Sequence, residues 1–187
     1  MTVLWAIATI LCGLVALVWS TRHIQIWRQK RSGMSVHGRA EELADPPRVS
    51  VVVAAKDEQD NIAACVRSML NQKYPDFQLI VVDDRSDDRT AEVAHETAGD
   101  DPRFRLVRVE VLPDGWAGKN HAMHTGITEA TGEWLCMIDA DCTQLTEHSL
   151  TAAVARARRL NADLMSVLPE MELRSIWRTS FSRSAAA

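Results

Sequence analysis

Val49–Glu58 reads VSVVVAAKDE, a run of β-branched and small apolar residues that stops on a charged cluster. A strand that is apolar at successive rather than alternate positions is covered on both faces, as in a parallel sheet flanked by helices. The same pattern recurs further along. Gln78–Val82 (QLIVV) is a second buried strand running into Asp83-Asp84, and Trp134–Ile138 (WLCMI) is another, running into Asp139-Ala140-Asp141. Phe104–Val111 alternates and is expected to lie in a more exposed position. Helical spacing fills the gaps. Asp60-Asn61 can cap a helix carrying Ile62, Cys65, Val66, Met69 and Leu70, ended by Tyr74-Pro75. Asp87 or Asp88 can cap a second helix through about Thr97, and residues 119–130 fit a third. Thr146 can cap a long helix to about Leu160, and Asp163–Leu168 is expected to open one more strand. This βαβαβαβαβ order predicts an α/β fold, a Rossmann-like, mostly parallel sheet with helices on both faces. Such sheets bind ligands beyond the C-terminal ends of their strands.

Composition narrows the function classes. The chain has 187 residues, 47% hydrophobic and 25% charged, with a net charge of -4. This is ordinary globular composition with no basic excess to drive nucleic-acid binding. The four cysteines form no CxxC pair, which argues against a disulfide scaffold and structural zinc and for a reduced compartment. No GxGxxG follows the first strand and no GxxxxGK[ST] occurs, so a dinucleotide oxidoreductase and a P-loop NTPase are not expected. HExxH and nucleophile-elbow motifs are also absent.

The charge is unevenly spread. Residues 1–47 carry five basic and three acidic side chains, net +2, so the remaining residues carry -6. No charged side chain precedes Arg22. Residues 1–21 are therefore expected to be a transmembrane anchor, with Trp5 and Trp19 near its ends at the interface. Arg22, Arg28, Lys30, Arg31 and Arg39 follow, and the positive-inside rule then places the soluble domain in the cytoplasm on a single-pass inner (plasma) membrane protein. A cleaved signal peptide would need a basic start and a small-residue cleavage site, and neither is evident. Residues 22–47 read as a juxtamembrane linker ending in Pro46-Pro47, of which 20–34 can form an amphipathic interfacial helix presenting Ile24, Ile26 and Trp27.

Three acidic clusters after three apolar strands are expected to converge on one crevice. Carboxylates gathered there repel one another unless a cation sits among them. Asp-x-Asp at a strand end offers hard oxygen ligands to Mg2+ or Mn2+, which keeps waters and takes phosphate oxygens as further ligands. The plainer reading, that such acids cap helices and cover the surface, is preferred for Asp87 and Asp88. The functional one is preferred for Asp139 and Asp141. His121 and His124 lie three apart on one helix and read as a satisfied surface pair.

Four segments in this order, VSVVVAAKDEQDNI (49–62), LIVVDDRSDDRT (79–90), GWAGKNHAMHTG (115–126) and WLCMIDADC (134–142), resemble the processive and lipid-linked family-2 glycosyltransferases of the GT-A fold. The GWAGK stretch is most similar to the branch that includes ceramide-glucosyltransferase-like and hopanoid-associated enzymes. The resemblance covers residues 48 to about 170. It implies a nucleotide-sugar-binding domain over 48–173, a nucleoside-diphosphate-sugar donor, UDP-linked, a lipid or glycan acceptor, and Mg2+ or Mn2+ as cofactor. It also implies roles by position. Glu58 lies against the base and ribose, Asp84 accepts the uracil N–H, and Lys119 faces the diphosphate. Asp139 approaches the ribose directly or through the metal, and Asp141 ligates the metal. Glu58 as a helix cap, Lys119 as a solvated helix-start lysine and Asp83 as a loop-orienting group stand beside these readings.

The sequence also departs from that family. Its general base sits in an acidic motif well downstream of the Asp-x-Asp, followed by a Gln/Arg-x-x-Arg-Trp motif and further apolar spans, and none of these is recognisable after Asp141. Glu170 and Glu172 lack the expected context, and residues 174–187 read as a disordered tail. The catalytic base is therefore left unassigned and the chain is read as C-terminally truncated. Two readings compete with an active transferase: a catalytically dead nucleotide-sugar-binding remnant, and a nucleotidyltransferase. The latter is disfavoured because Val49–Glu58 holds no glycine.

Overall fold

The computed structural model describes the backbone of residues 2–31 and the whole of residues 43–167, with side chains of the first stretch described over 5–25. The chain divides into two units, residues 1–37 and 38–187. The described residues of the first form one continuous helix, α1 (Thr2–Arg31). Its window Trp5–Gln25 has mean hydropathy 1.6 and none of it is buried, so it is long and apolar enough to cross a membrane. The expected interfacial stretch from residue 20 continues this helix as far as Arg31. The side chains of Ile26 and Trp27, much of the expected linker and the 174–187 tail lie outside the described residues.

The second unit is the expected α/β fold. Its elements are β1 (Val49–Ala55), α2 (Ile62–Leu70), β2 (Phe77–Asp84), α3 (Thr90–Ala98), β3 (Phe104–Val109), α4 (Gly118–Thr128), β4 (Trp134–Asp139) and α5 (Ser149–Leu160). The four strands order as β3-β2-β1-β4 and all pairings are parallel. β1 and β2 are central and buried on both faces, which explains their unbroken apolar runs. Val51 and Val53 face a core completed by Ile62, Val66 and Met69 of α2, Ala94 of α3, and Leu150 and Val154 of α5. Val52, Ile80 and Val82 face the opposite way, onto Ala122 of α4. Each fully buried aliphatic side chain contributes about 1.5–3 kcal/mol, against about 0–1 kcal/mol for an exposed ion pair, so these two layers carry the fold. α4 lies close on the sheet because Gly126 has no side chain. A Cβ there would overlap Val52 Cγ1 and crowd Val82.

Several local expectations are corrected. Asn61 is the residue preceding α2, yet its side chain caps nothing; its amide donates to Glu58 Oε2 at 2.7 Å. Of the two candidates before α3, Asp88 does the capping, accepting the Thr90 N–H at 2.9 Å and the Thr90 hydroxyl. α5 starts at Ser149, three residues after Thr146, because residues 147–148 form a turn that the Thr146 carbonyl closes. The strand expected from Asp163 is not formed over 163–167. α5 ends in left-handed Asn161, and Leu164 is 89% exposed with no neighbouring strand among the described residues to pair its backbone. β4 is therefore a sheet edge among the described residues. Its Trp134, Cys136 and Ile138 pack on the core, while Leu135 and Met137 on its other face are exposed. Residues 43–47 of the expected linker are tied to the domain: Tyr74 donates to the Pro47 carbonyl, and Arg158 to those of Ala44 and Asp45.

Candidate functional site

Sheet order brings the acidic clusters together. β1 lies between β2 and β4, with Ala55 in register with Asp83 and Ala54 with Asp139. Chain direction across the sheet reverses at β1/β4, and α4 crosses over there on its way from β3 to β4. Such a switch point opens a crevice at the C-terminal strand ends. A cavity of about 270 Å³ occupies it, floored by Ala54, Ala55 and Ala140 and walled by Lys56, Glu58, Asp84, Lys119, Asp139 and Asp141. All five site residues expected from the sequence, Glu58, Asp84, Lys119, Asp139 and Asp141, thus line one cavity. The floor is small because the strand-end residues are alanines, which leaves the carboxylates room to face one another. A wider depression beside His95 and Phe104 lies at the opposite end of the sheet and carries none of these residues.

Each wall is held by its own local structure. The loops after β1 and β2 are laced together. The Asp57 N–H donates to Ser86 Oγ at 3.0 Å, the Asp87 N–H to Asp57 Oδ1 at 2.9 Å, and the Glu58 N–H to Thr90 Oγ1 at 2.8 Å. Asp57 (φ 54) and Arg85 (φ 57) both sit in the left-handed region. Non-glycine residues hold that conformation only where surrounding bonds over-determine it, and the lacing supplies them. Asp83 is not among the residues lining the cavity and is bonded within the sheet end and its loop. It is buried, accepts the Ser86 N–H at 3.4 Å, and pairs with Arg108 at 3.3 Å.

Asp84 and Arg85 form the second wall. Asp84 is buried, and one oxygen, Oδ1, accepts the Arg85 Nε–H at 2.9 Å and lies 2.9 Å from a terminal guanidinium nitrogen in an ion pair. That bond raises the already high pKa of Arg85. The other oxygen, Oδ2, faces the first residue of α4. Gly118 is needed there, because a Cβ would overlap Asp84 Oδ2 and crowd the Arg85 guanidinium. Sequence reading passed over Arg85 and Gly118. The available signal was a basic residue directly after an acidic strand end.

Lys119, one residue into α4, reaches across to Asp139, with Nζ at 2.6 Å from Oδ1. The hydrogen bond to Asp139 first, then the charges of Asp139 and Asp141, raise the Lys119 pKa. A lysine thus already answers the charge of the Asp-x-Asp pair, and with its side chain 64% exposed Lys119 keeps both of its readings. Behind the pair, burial pushes the Cys65 thiol up to about 12, with Cys142, Asp141 and Glu58 adding to it, so Cys65 is an inert packing group. Glu58 keeps both of its readings. Its side chain lines the cavity and also accepts the Asn61 amide. His121 and His124 both lean on Trp116, with centroids 5.3 and 5.1 Å away. They are not the satisfied pair expected, since among the described residues the buried Nδ1 of His121 has no hydrogen-bond partner.

The metal implied by the resemblance fits these residues in part. Among the described residues no three His, Cys, Asp or Glu side chains converge to hold an ion. Asp139 and Asp141 supply two hard oxygen donors in a cavity with space beside them. Mg2+ and Mn2+ accept such a short protein set when phosphate and water complete it. The donor set therefore suits a cation that arrives with a diphosphate, rather than one caged by protein alone.

Comparison with known proteins places the family and the fold. Residues 50–179 match the family described as "Glycosyl transferase family 2". Over 154 residues the chain is 29% identical to a 4,4'-diaponeurosporenoate glycosyltransferase of Staphylococcus haemolyticus, covering 82% of this chain and 37% of that protein. It is 31% identical over 107 residues to a beta-monoglucosyldiacylglycerol synthase of Trichormus variabilis, covering 56% of this chain and 22% of that one. Among solved structures, the mannosyltransferase PcManGT from Pyrobaculum calidifontis, in complex with GDP-Man and Mn2+, superposes with TM-score 0.60 at 29% identity, covering 78% of this chain and 42% of that one. S. aureus TarS 1–349 in complex with UDP-GlcNAc shares the fold, with TM-score 0.53 at 21% identity, over 70% of this chain and 38% of that one. The chain spans well under half the length of each of these relatives. With its family description matched over most of its length, the chain belongs to glycosyl transferase family 2.

Proposed function

We propose that this chain is the donor-binding part of a membrane-anchored glycosyltransferase that moves a sugar from a nucleoside diphosphate sugar, UDP-linked, to a lipid acceptor. The observation that carries the reading is the convergence of Glu58, Asp84, Lys119, Asp139 and Asp141 on one cavity at the strand-order switch. Glu58 and Asp84 are acceptors suited to ribose hydroxyls and a base N–H. Lys119 is the cation suited to the diphosphate, and Asp139 and Asp141 would hold Mg2+ or Mn2+. When bound, that ion neutralises charge on the departing diphosphate. In the transfer, the acceptor hydroxyl oxygen bonds to the anomeric carbon as the bond from that carbon to the diphosphate oxygen breaks. The hydroxyl proton passes to a base, and the leaving charge is shared with Lys119. No residue of the cavity is assigned as that base, because its carboxylates are committed to the donor side.

Support for the finer points comes from several sides. A GDP-Man and Mn2+ complex of a similar structure favours a divalent ion. A relative named for a glucosyl diacylglycerol favours a lipid acceptor, as does the resemblance of GWAGK to the ceramide-glucosyltransferase-like and hopanoid-associated branch. α1 supports anchoring, with the domain on the cytoplasmic side by its flanking basic residues. The test is calorimetric titration of UDP with and without Mn2+. Mn2+ is expected to tighten UDP binding by roughly tenfold or more, and Asp141→Ala to remove that increment, about 1.4 kcal/mol per tenfold. Equal Mn2+ enhancement in the variant would overturn the metal assignment.

A further inference from the structure

Asp139 already carries a cation. Lys119 Nζ lies 2.6 Å from Asp139 Oδ1, and both side chains line the cavity beside Asp141. We propose that Lys119 is a stand-in cation, which holds a divalent ion off Asp139 until a diphosphate arrives to take the ammonium over. The ion and the diphosphate then bind as a coupled pair. The inference rests on the donor-binding reading above and adds an order of events to it.

The two partners of this ion pair differ in freedom. Asp139 closes β4 in register with Ala54 of central β1, and its carbonyl accepts the Cys142 N–H at 3.0 Å. Its backbone is thus held by the sheet on one side and by the following turn on the other. Lys119 is the second residue of α4, and its ammonium sits at the end of a long unbranched stem. The lysine is therefore the part that moves. The pair is open to water, with side chains 64% and 60% exposed, and an ion pair so exposed is weak enough to exchange. The other lysine of the cavity does not share this role. Lys56 Nζ donates to the Arg85 carbonyl at 3.3 Å rather than sitting on an acid.

A carboxylate holds two cations less well than one. Whether a divalent ion takes the same oxygen of Asp139 or the other, it comes close to the ammonium, and like charges at that range repel. An ion arriving alone must dislodge Lys119 or crowd against it. An ion arriving with a diphosphate meets a different balance. Phosphate oxygens accept the ammonium in exchange for Asp139, and both cations are then drawn to one anion. Each ligand thereby lowers the cost of binding the other, and such linkage is reciprocal.

The experiment is titration of Mn2+ into the full 187-residue chain in detergent, with and without UDP, following free Mn2+ by electron paramagnetic resonance. It is repeated on Lys119→Met, on Lys119→Arg, and on Lys119→Met combined with Asp141→Ala. Methionine keeps the length of the stem and is a good helix former, so the fold is retained, and thermal melting checks this. Without UDP, Lys119→Met is expected to bind Mn2+ about threefold or more tighter than the unmodified chain, and the tightening that UDP adds to shrink by a similar factor. Lys119→Arg keeps the charge and is expected to stay within about twofold of the unmodified chain. The added Asp141→Ala is expected to remove the gain. Mn2+ affinity unchanged or weakened in Lys119→Met, with UDP still tightening Mn2+ binding in the unmodified chain, overturns the stand-in role and leaves the donor site standing. A gain that survives Asp141→Ala, or that Lys119→Arg shows equally, overturns it as well. Failure of UDP to tighten Mn2+ binding in the unmodified chain overturns the donor-binding reading and this inference with it.

Discussion

Single residues at this site work through what they leave out as much as through what they add. Gly118 is the clearest case: its missing side chain is the space that Asp84 Oδ2 and the Arg85 guanidinium occupy. Gly118→Ala is expected to displace the Asp84 carboxylate and weaken UDP binding by roughly tenfold, about 1.4 kcal/mol. Alanine favours a helix over glycine by up to about 1 kcal/mol, so the melting temperature should hold while affinity falls. Calorimetry beside a thermal melt separates the two effects, and unchanged affinity would show that Oδ2 does not meet the nucleotide. Asp57 and Arg85 make the complementary point. Their left-handed backbones cost energy that only cross-loop bonds such as Asp57 N–H to Ser86 Oγ can hold, and these loops form a cavity wall.

At the scale of elements, strands were easier to read than helix starts. β1 and β2 announce themselves because both faces are buried, whereas a cap depends on which nearby oxygen reaches a free N–H. Asp88 reaches Thr90, but Asn61 turns to Glu58 instead. The α3–β3 connection is held by Arg103, which pairs with Asp101 at 2.7 Å, donates to the Leu70 carbonyl at 2.8 Å and covers the Phe77 ring. The hydrogen bond from Arg103 holds the Asp101 carboxyl below its usual pKa. A carboxyl whose folded-state pKa is lowered stabilises the fold above its unfolded pKa, about 3.9, and this stabilisation is lost as pH falls through the folded value. Asp101→Asn is therefore expected to lower stability at pH 7 by no more than about 1 kcal/mol, the pair being partly open to water. The difference should close as the pH falls past the unfolded value and through the lower folded one. Urea unfolding midpoints of both proteins at pH 7 and at low pH check this; a gap that persists in acid would exclude the ionised carboxylate as its source.

At the scale of the whole molecule, sheet order is decisive. Placing β1 between β2 and β4 gathers acids that stand far apart in the chain, and it leaves β4 as an edge. Leu135 and Met137, 45% and 53% exposed, lie on the face of β4 away from the core. An apolar edge strand is a template for association. The double change Leu135→Lys and Met137→Glu is expected to reduce concentration-dependent self-association of this chain without lowering its melting temperature. Light scattering against concentration measures it, and unchanged scattering would place the sticky surface elsewhere.

Read alone, the sequence determined the α/β class, the two central strands, the apolar N-terminal helix and the five side chains that meet in the cavity. Those features depend on local periodicity and on charge at strand ends, which the order of residues records directly. Tertiary structure alone decided that the strand expected from Asp163 does not form over 163–167, that Asp88 rather than Asp87 caps α3, and that Arg85 and Gly118 shape the surroundings of Asp84. Each of these depends on which backbone or side chain arrives from a distant part of the chain, and no local pattern encodes that meeting.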